Sequence, residues 1–401
     1  MHFLPTFPLH VNPVTLFGLT LLLGLIGGEV AKRIPFLPTI SGYIAVGFLV
    51  GPEAFKIVTP SLLANARIFV DISLGLILFD LGRHLDFTWL KHDRGIVRMS
   101  LLESLLTFVF VFIVLYLFDL PWIYASLTAA IAIATAPAVV MMIAYDLDSK
   151  GPVTRRTLIL TSLNNLFGLV TFTLLLPLSQ QDASIPVIIM HTFYRLLGSI
   201  VFGVITFMIT IGIARLIGKR KENQFVLFVG SVIFAIGLSS FLNLSSMLSV
   251  FTLGICARNF DRNHVLTEVD FGWLARLFFI LLFVITGVNL QLKGLWLATT
   301  VVLAFIIART AAKSLGIWLF ARSSRLTRQQ TWALCLTLTP MAGEAIGMSN
   351  IMLDFNPNLG FHLLTISATV IAILNILGPI ATQFAFVKSG EVISEKPAEE
   401  A

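Results

Sequence analysis

The chain has 401 residues, of which 57% are hydrophobic and 12% are charged. Soluble domains carry about 25% charged residues, so this composition excludes a cytosolic enzyme, a disordered protein and a nucleic-acid-binding protein. It predicts a multi-pass membrane protein whose outer surface faces lipid. The net charge of +6 does not require an anionic partner, because the loops account for it.

Thirteen apolar segments follow one another along the chain, each compatible with a helix that crosses or enters a bilayer. The predicted segments are 14–31, 37–51, 62–82, 96–118, 121–145, 156–180, 189–217, 224–242, 244–258, 268–289, 294–320, 330–353 and 361–387.

Loop charges support this order of segments. If successive loops alternate between two sides, nineteen Lys and Arg residues fall on one side and only Lys56 and Lys293 fall on the other. The excess of basic residues marks the cytoplasmic side. The N-terminus is therefore predicted to lie outside and the C-terminus in the cytoplasm.

The first six segments resemble the last six, and the seventh bridges them. The clearest similarity pairs residues 78–86 with 283–291, and a Trp-Leu pair follows each run. The predicted fold is all-α, with about 13 transmembrane helices. Because the second half starts from the opposite face of the membrane, the two sets of six helices form an inverted repeat, as in secondary transporters. The predicted divisions are an extracytoplasmic N-terminus (1–13), a first repeat (14–185), a bridging span with a basic loop (186–223), a second repeat (224–387) and a cytoplasmic tail (388–401).

Two segments at corresponding positions are interrupted by a proline next to small residues. Breaks of this kind free backbone carbonyls and helix ends, which can face an ion instead of lipid. Two ordinary proline kinks are the alternative. The interrupted stretches are Thr135-Ala136-Pro137-Ala138 and Thr339-Pro340-Met341-Ala342-Gly343.

Ionisable residues within the segments need partners or water, because each costs about 2.5–3.5 kcal/mol at the centre of a membrane helix. Arg309 and Lys313 lie four residues apart and share one helix face, so they need anionic partners. Glu344, just after the second break, is one candidate, and a purely structural pairing is the alternative. The acids concerned are Glu29, Asp71, Asp80, Glu103 and Glu344.

Several motifs together resemble the bacterial sodium/proton and potassium/proton antiporters of the cation/proton antiporter superfamily. The resemblance covers nearly the whole membrane portion. The matching motifs are Ile34-Pro35-Phe36-Leu37-Pro38 leading into Gly42 to Pro52, Leu76 to Gly82 with Asp80, Thr135 to Val140, Lys313 to Gly316 with Arg309 one turn earlier, and Gly343-Glu344.

The resemblance implies a fold of two bundles, a dimer-forming panel and a core with crossed broken helices. It also implies an elevator-like exchange of a monovalent cation for protons in a bacterial inner membrane, with a homodimer as the assembly. For the dimer, the sequence itself offers only the small-residue motif Gly47-x-x-x-Gly51.

One departure from the resemblance concerns the ion site. In the helix that follows the first break, the family carries an Asp-Asp, Asn-Asp or Gln-Asp pair, whose second member, an aspartate, binds the ion and the proton. Here the pair is Asn164-Asn165. An amide can coordinate a cation through its oxygen but cannot titrate.

Three interpretations remain open. Another acid carries the proton, with Glu344, Asp80 and Glu103 as candidates in that order. Alternatively, the site has become neutral or cationic and takes an anion or a polar solute, or the chain is an engineered, transport-dead variant. The predicted site comprises Asn164, Asn165, Thr135 and Ala136 as ion ligands, Lys313 and Arg309 as counter-charges, and Pro137, Pro340 and Gly343 at the breaks.

Other chemistry finds little support in the sequence. The seven histidines form no metal-ligand pair and no nucleotide-binding loop is present, so no enzyme activity, metal or cofactor is expected. The expected substrates are a monovalent cation and protons, and the bilayer is the expected environment. A nucleotide-binding regulatory domain is not expected in this chain, and a non-transporting sensor or scaffold is the alternative from another functional class.

Overall fold

A computed structural model describes residues 13–34, 37–58, 60–179, 185–218, 220–261, 266, 272–288, 299–341, 345, 348 and 357–392. Its regular structure is helical throughout these residues. The helices are α1 (Pro13–Lys32), α2 (Thr39–Val50), α3 (Pro60–Arg83), α4 (Phe87–His92), α5 (Arg94–Leu117), α6 (Trp122–Ile133), α7 (Pro137–Asp146), α8 (Pro152–Leu175), α9 (Ile185–Ile217), α10 (Lys221–Phe241), α11 (Ser246–Asn259), α12 (Gly272–Val288), α13 (Thr299–Ala321), α14 (Arg328–Thr337) and α15 (Pro357–Ser389), with one 3-10 turn at Leu176–Ser179.

Eight stretches in the described residues are long and apolar enough to cross a membrane. They are Val14–Lys32, Gly95–Leu117, Trp122–Asp146, Pro152–Ser179, Pro186–Ile217, Glu222–Phe241, Thr300–Ala321 and Thr369–Ser389. Shorter apolar helices cover Thr39–Val50 and Leu277–Val288. The prediction of an all-helical multi-pass membrane fold is confirmed, whereas the count of thirteen spans stays a prediction.

Glycines allow two helix pairs to approach closely. A Cβ at Gly254 of α11 would lie 2.2 Å from the backbone oxygen of Phe79 on α3, and one at Gly287 of α12 would lie 2.2 Å from that of Ile44 on α2. In an inverted repeat, α3 would correspond to α12 and α11 to α2. The contact between α3 and α11 would then be the repeat-related equivalent of the contact between α12 and α2.

This packing corrects the interpretation of the Gly47-x-x-x-Gly51 motif. A Cβ at Gly47 would lie 2.0 Å from the backbone oxygen of Val284 on α12, and one at Gly51 would lie 3.1 Å from that of Val288. The motif faces a helix of the same chain, since small residues permit close helix contact within a bundle as well as between subunits. It is therefore not a surface for a second copy.

The site region is built around α5, α6, α8 and α13. α5 packs along α13, and both α5 and α8 contact α6. Residues 122–146, which contain both halves of the interrupted helix, are almost entirely buried within the protein. Polar residues here therefore depend on protein partners.

Candidate functional site

The backbone leaves the helical path at both prolines that the sequence singles out. α6 ends at Ile133 and α7 begins at Pro137, whereas α14 ends at Thr337 and the chain is non-helical through Pro340. The N–H of Ala136 donates to the backbone oxygen of Pro340 at 3.1 Å. The two breaks therefore meet, and both present carbonyl oxygens that make no hydrogen bond within a helix.

Arg309 binds the carbonyl groups at both breaks. Its Nε donates to the oxygen of Ala132 at 2.9 Å, and its Nη2 donates to those of Ala134 at 2.9 Å and Pro340 at 3.3 Å. Its Nη1 donates to the oxygen of Thr339 at 2.8 Å. The guanidinium is fully buried and lies at the C-terminal ends of α6 and α14, where the helix dipoles are negative.

Lys313, one turn further along α13, forms a buried ion pair. Its Nζ donates to Glu103 Oε1 on α5 and to the backbone oxygen of Ile133 at 2.9 Å. Lys313 is 1% exposed and Glu103 is 0% exposed. Gly316 brings the two helices together, because a Cβ there would lie 2.5 Å from the Cα of Glu103.

The two asparagines of α8 are fully buried beside this ion pair. Oδ1 of Asn164 accepts hydrogen bonds from Ser100 at 2.9 Å and Ser104 at 3.3 Å. Nδ2 of Asn165 donates to the backbone oxygens of Thr135 at 2.7 Å and Thr161 at 2.9 Å. Asn164 also lies within 3.5 Å of the Thr135 hydroxyl, so both amides connect α8 to the first break.

Three buried oxygen atoms of this cluster have no hydrogen-bond partner in the described part of the chain. They are Glu103 Oε2, Asn165 Oδ1 and the hydroxyl oxygen of Thr161. A buried acceptor without a donor costs about 1–3 kcal/mol, unless water or a cation fills the place. The cluster therefore holds a carboxylate, an amide and a hydroxyl oxygen that receive no hydrogen bond from the described residues.

The three acids proposed as proton carriers do not lie in one place. Glu103 belongs to the cluster, although it stands last in the order that the sequence suggests. Asp80 lies against Arg83 at 3.6 Å and accepts a hydrogen bond from Tyr145 at 3.3 Å; no described contact joins it to the asparagines. Glu344 and Gly343 lie outside the described residues.

Ser100, Ser104 and Thr161 are site residues that the sequence analysis does not identify. A signal for the serines was present, because Ser100, Glu103 and Ser104 have the i, i+3, i+4 spacing of one helix face. Their apolar neighbours on α5 face other directions, so the three polar residues form a stripe. Thr161 lies one turn before Asn165 on α8 and follows the same rule.

The sequence matches the profile of the family "sodium/hydrogen exchanger, transmembrane" over residues 18–388. Comparison with curated protein sequences gave no significant match.

Among solved structures, the chain is similar to the sodium proton antiporter MjNhaP1 from Methanocaldococcus jannaschii. One structure of that protein, at pH 8, is 20% identical with a TM-score of 0.71, covering 96% of this chain and 99% of the other. A second structure, from electron microscopy, is 19% identical with a TM-score of 0.74, covering 97% and 98%. At this identity the likeness shows the fold. The family match over nearly the whole length, together with this fold, establishes that the chain belongs to the transmembrane sodium/hydrogen exchanger family of membrane transporters.

Proposed function

We propose that the chain exchanges a monovalent cation, sodium or potassium, for protons across a bacterial inner membrane. The observation that carries the proposal is the buried Glu103–Lys313 ion pair beside the amides of Asn164 and Asn165. Both members of the pair can gain or lose a proton, whereas the asparagines cannot. The family match supports the same type of activity.

The cation would bind to oxygen atoms that lack partners in the described chain. Glu103 Oε2, Asn165 Oδ1 and the Thr161 hydroxyl are buried acceptors. Oxygen donors suit hard cations, and the carboxylate supplies the charge that an asparagine pair alone would lack. In this assignment Asn165 is a ligand, Asn164 would become one only on exchanging its hydrogen bonds from Ser100 and Ser104, and Glu103 takes the electrostatic role of the missing aspartate.

In the exchange step at the ion pair, charge and protons are both conserved. The cation replaces the Lys313 ammonium at the Glu103 carboxylate, and the ammonium releases one proton to water. The pair carries no net charge before the step, and the carboxylate with its cation carries none after it. The reverse sequence on the other side of the membrane releases the cation and takes up a proton, so the exchange is electroneutral.

Arg309 would hold the breaks in place while the pair changes partners. Its donors reach carbonyl oxygens of both interrupted helices, and the negative ends of those helices offset its charge. This offset reduces the repulsion between Arg309 and a cation at Glu103. We assign it a positioning role.

Alternating access would follow from movement of the core helices against the rest. A cavity of about 300 Å³ separates α8 from α3, α10 and the start of α11. Its lining includes Leu169 and Phe172, one to two turns beyond Asn165. This gap supports an elevator-like movement and a site that opens to one side at a time. We further propose that a homodimer anchors the bundle that stays fixed.

The test is cation-dependent dissipation of a pH gradient in proteoliposomes. We expect sodium or potassium to dissipate the gradient with the wild-type protein, and E103Q to reduce the rate at least about tenfold, since it removes the titratable carboxylate. D80N is the matched control and should retain the rate. If sodium, potassium and lithium all fail to dissipate the pH gradient, the proposal is refuted. Loss of activity in D80N with full activity in E103Q would refute it as well.

A second candidate, an anion or polar-solute carrier, rests on the formal charge of the cluster. Glu103, Lys313 and Arg309 sum to +1, and the asparagines add none. Chloride or bicarbonate flux that is independent of cations would favour this candidate over the exchange of cations.

A further inference from the structure

A second polar cavity lies away from the ion site, at the end of the bundle that the loop charges predict to be cytoplasmic. Its volume is about 770 Å³, and it lies between the N-terminal ends of α5 and α8 and the turn that follows α13. These three helices carry Glu103, the asparagines and Lys313, but none of those residues lines the cavity. Its lining includes Trp89, Asp93, Arg155, Arg156, Ser324 and Arg325.

The charges around the cavity leave an excess of guanidinium groups. Its two acids are already paired: Asp86 Oδ2 with Arg258 at 2.9 Å, and Asp93 Oδ2 with Arg156 at 3.4 Å. Arg155 lies 4.7 Å above the ring of Trp89. No acid in the described residues pairs with Arg155 or Arg325, so within that part of the chain these two exposed guanidinium groups have no counter-charge.

Two polar atoms at the same place also lack partners. Ser324 is 5% exposed, and its hydroxyl has no hydrogen-bond partner in the described residues. The Nε of Arg156 is likewise buried without an acceptor, although Nη2 of the same side chain donates to the backbone oxygen of Ser324 at 3.1 Å. Gly95 leaves the hydroxyl room, because a Cβ there would lie 2.9 Å from Ser324 Oγ.

We propose that this cavity is a binding site for a phosphate-type oxyanion. Guanidinium groups match the oxygens of phosphate through paired N–H donors. Ser324 would add a hydroxyl donor, and Arg156 Nε would gain the acceptor that it lacks. The volume exceeds that of a single phosphate, so the group could be free in solution or belong to the headgroup of a membrane lipid.

An oxyanion in this place would connect the start of α8 to the turn after α13. Arg155 and Arg156 belong to α8, whereas Ser324 and Arg325 follow α13. The bound group would therefore raise the thermal stability of the transporter. This consequence does not depend on the proposed ion exchange.

The test measures the melting temperature of the full chain in nanodiscs. Inorganic phosphate is compared with chloride at equal ionic strength in phosphatidylcholine discs, and a second arm replaces part of the phosphatidylcholine with phosphatidylglycerol. We expect stabilisation in at least one arm. An effect of phosphate identifies the free anion, and an effect of phosphatidylglycerol alone identifies the lipid headgroup.

Variants connect the effect to the cavity. R325Q and S324A should each weaken the response, with the half-saturating concentration rising about tenfold for R325Q because a charged donor is lost. R322Q is the matched control, since Arg322 is exposed on the same turn and does not line the cavity. Failure of both arms to stabilise the wild type, or an equal response in R325Q and R322Q, would overturn the proposal.

Discussion

The Glu103–Lys313 pair should contribute to stability in a way that a double-mutant cycle can measure. Lys313 is 1% exposed and supplies a hydrogen bond to Glu103 Oε1, whereas Oε2 has no partner in the described residues. K313M therefore leaves a buried carboxylate uncompensated, and E103Q leaves a buried ammonium. Breaking a buried pair from one side costs about 3–5 kcal/mol, which applies to each single variant.

The double variant E103Q/K313M should cost less than the sum of the single variants, because it leaves no uncompensated charge in the pair. We expect a coupling energy of about 2–3 kcal/mol. Equilibrium unfolding in mixed micelles containing increasing SDS gives the four free energies of unfolding. K91M is the control, since Lys91 is exposed and a surface change stays within about 0.5 kcal/mol. Additive effects of the two single variants would contradict an energetic coupling between Glu103 and Lys313.

The remaining predictions concern α8 and α4. N165D should make transport sensitive to the membrane potential, since it adds a negative charge to the site; flux with the potential set by valinomycin measures this, and indifference to the potential would contradict it. Glu391 caps α8 by accepting from the N–H groups of Val153 at 2.6 Å and Thr154 at 2.8 Å, so E391Q should lower stability by about 0.5–2 kcal/mol, with an unchanged melting temperature as the contrary result. Partial burial alone would raise the pKa of Asp86, but hydrogen bonds from Thr88, Arg258 and the start of α4 lower it from 3.8 to about 2. The ionised Asp86 side chain thus stabilises the protein above pH 3.8, and this contribution is lost as the pH falls through 2. In a plot of melting temperature against pH, D86N should therefore reduce the fall in melting temperature at acid pH. An unchanged fall would count against this.

Much of the fold follows from composition and local pattern. A chain that is 57% hydrophobic and 12% charged can place its surface only in lipid, and the prolines at 137 and 340 mark where two helices are interrupted. The sequence also predicts that Lys313 pairs with an acid, because a buried ammonium needs an anion.

The partner of Lys313 could not be chosen from the sequence. Glu344 stands nearer in sequence to the second break, but the contact with Glu103 depends on how α5 packs along α13 and on the space that Gly316 leaves. Such long-range contacts carry no local signal. The same holds for the Gly47 motif, where spacing indicates a close helix contact but does not say whether the partner helix belongs to the same chain.

Proton release on sodium binding most directly tests whether Glu103 and Lys313 exchange a cation for a proton. Purified protein in weakly buffered detergent receives sodium chloride, with choline chloride as the control, and a pH indicator reports the protons. We expect about one proton released per bound sodium ion, since the cation displaces a proton from the ion pair, and none from E103Q. Sodium binding without proton release, or equal release from E103Q, would contradict the assignment of Glu103 and Lys313 as the exchanging pair.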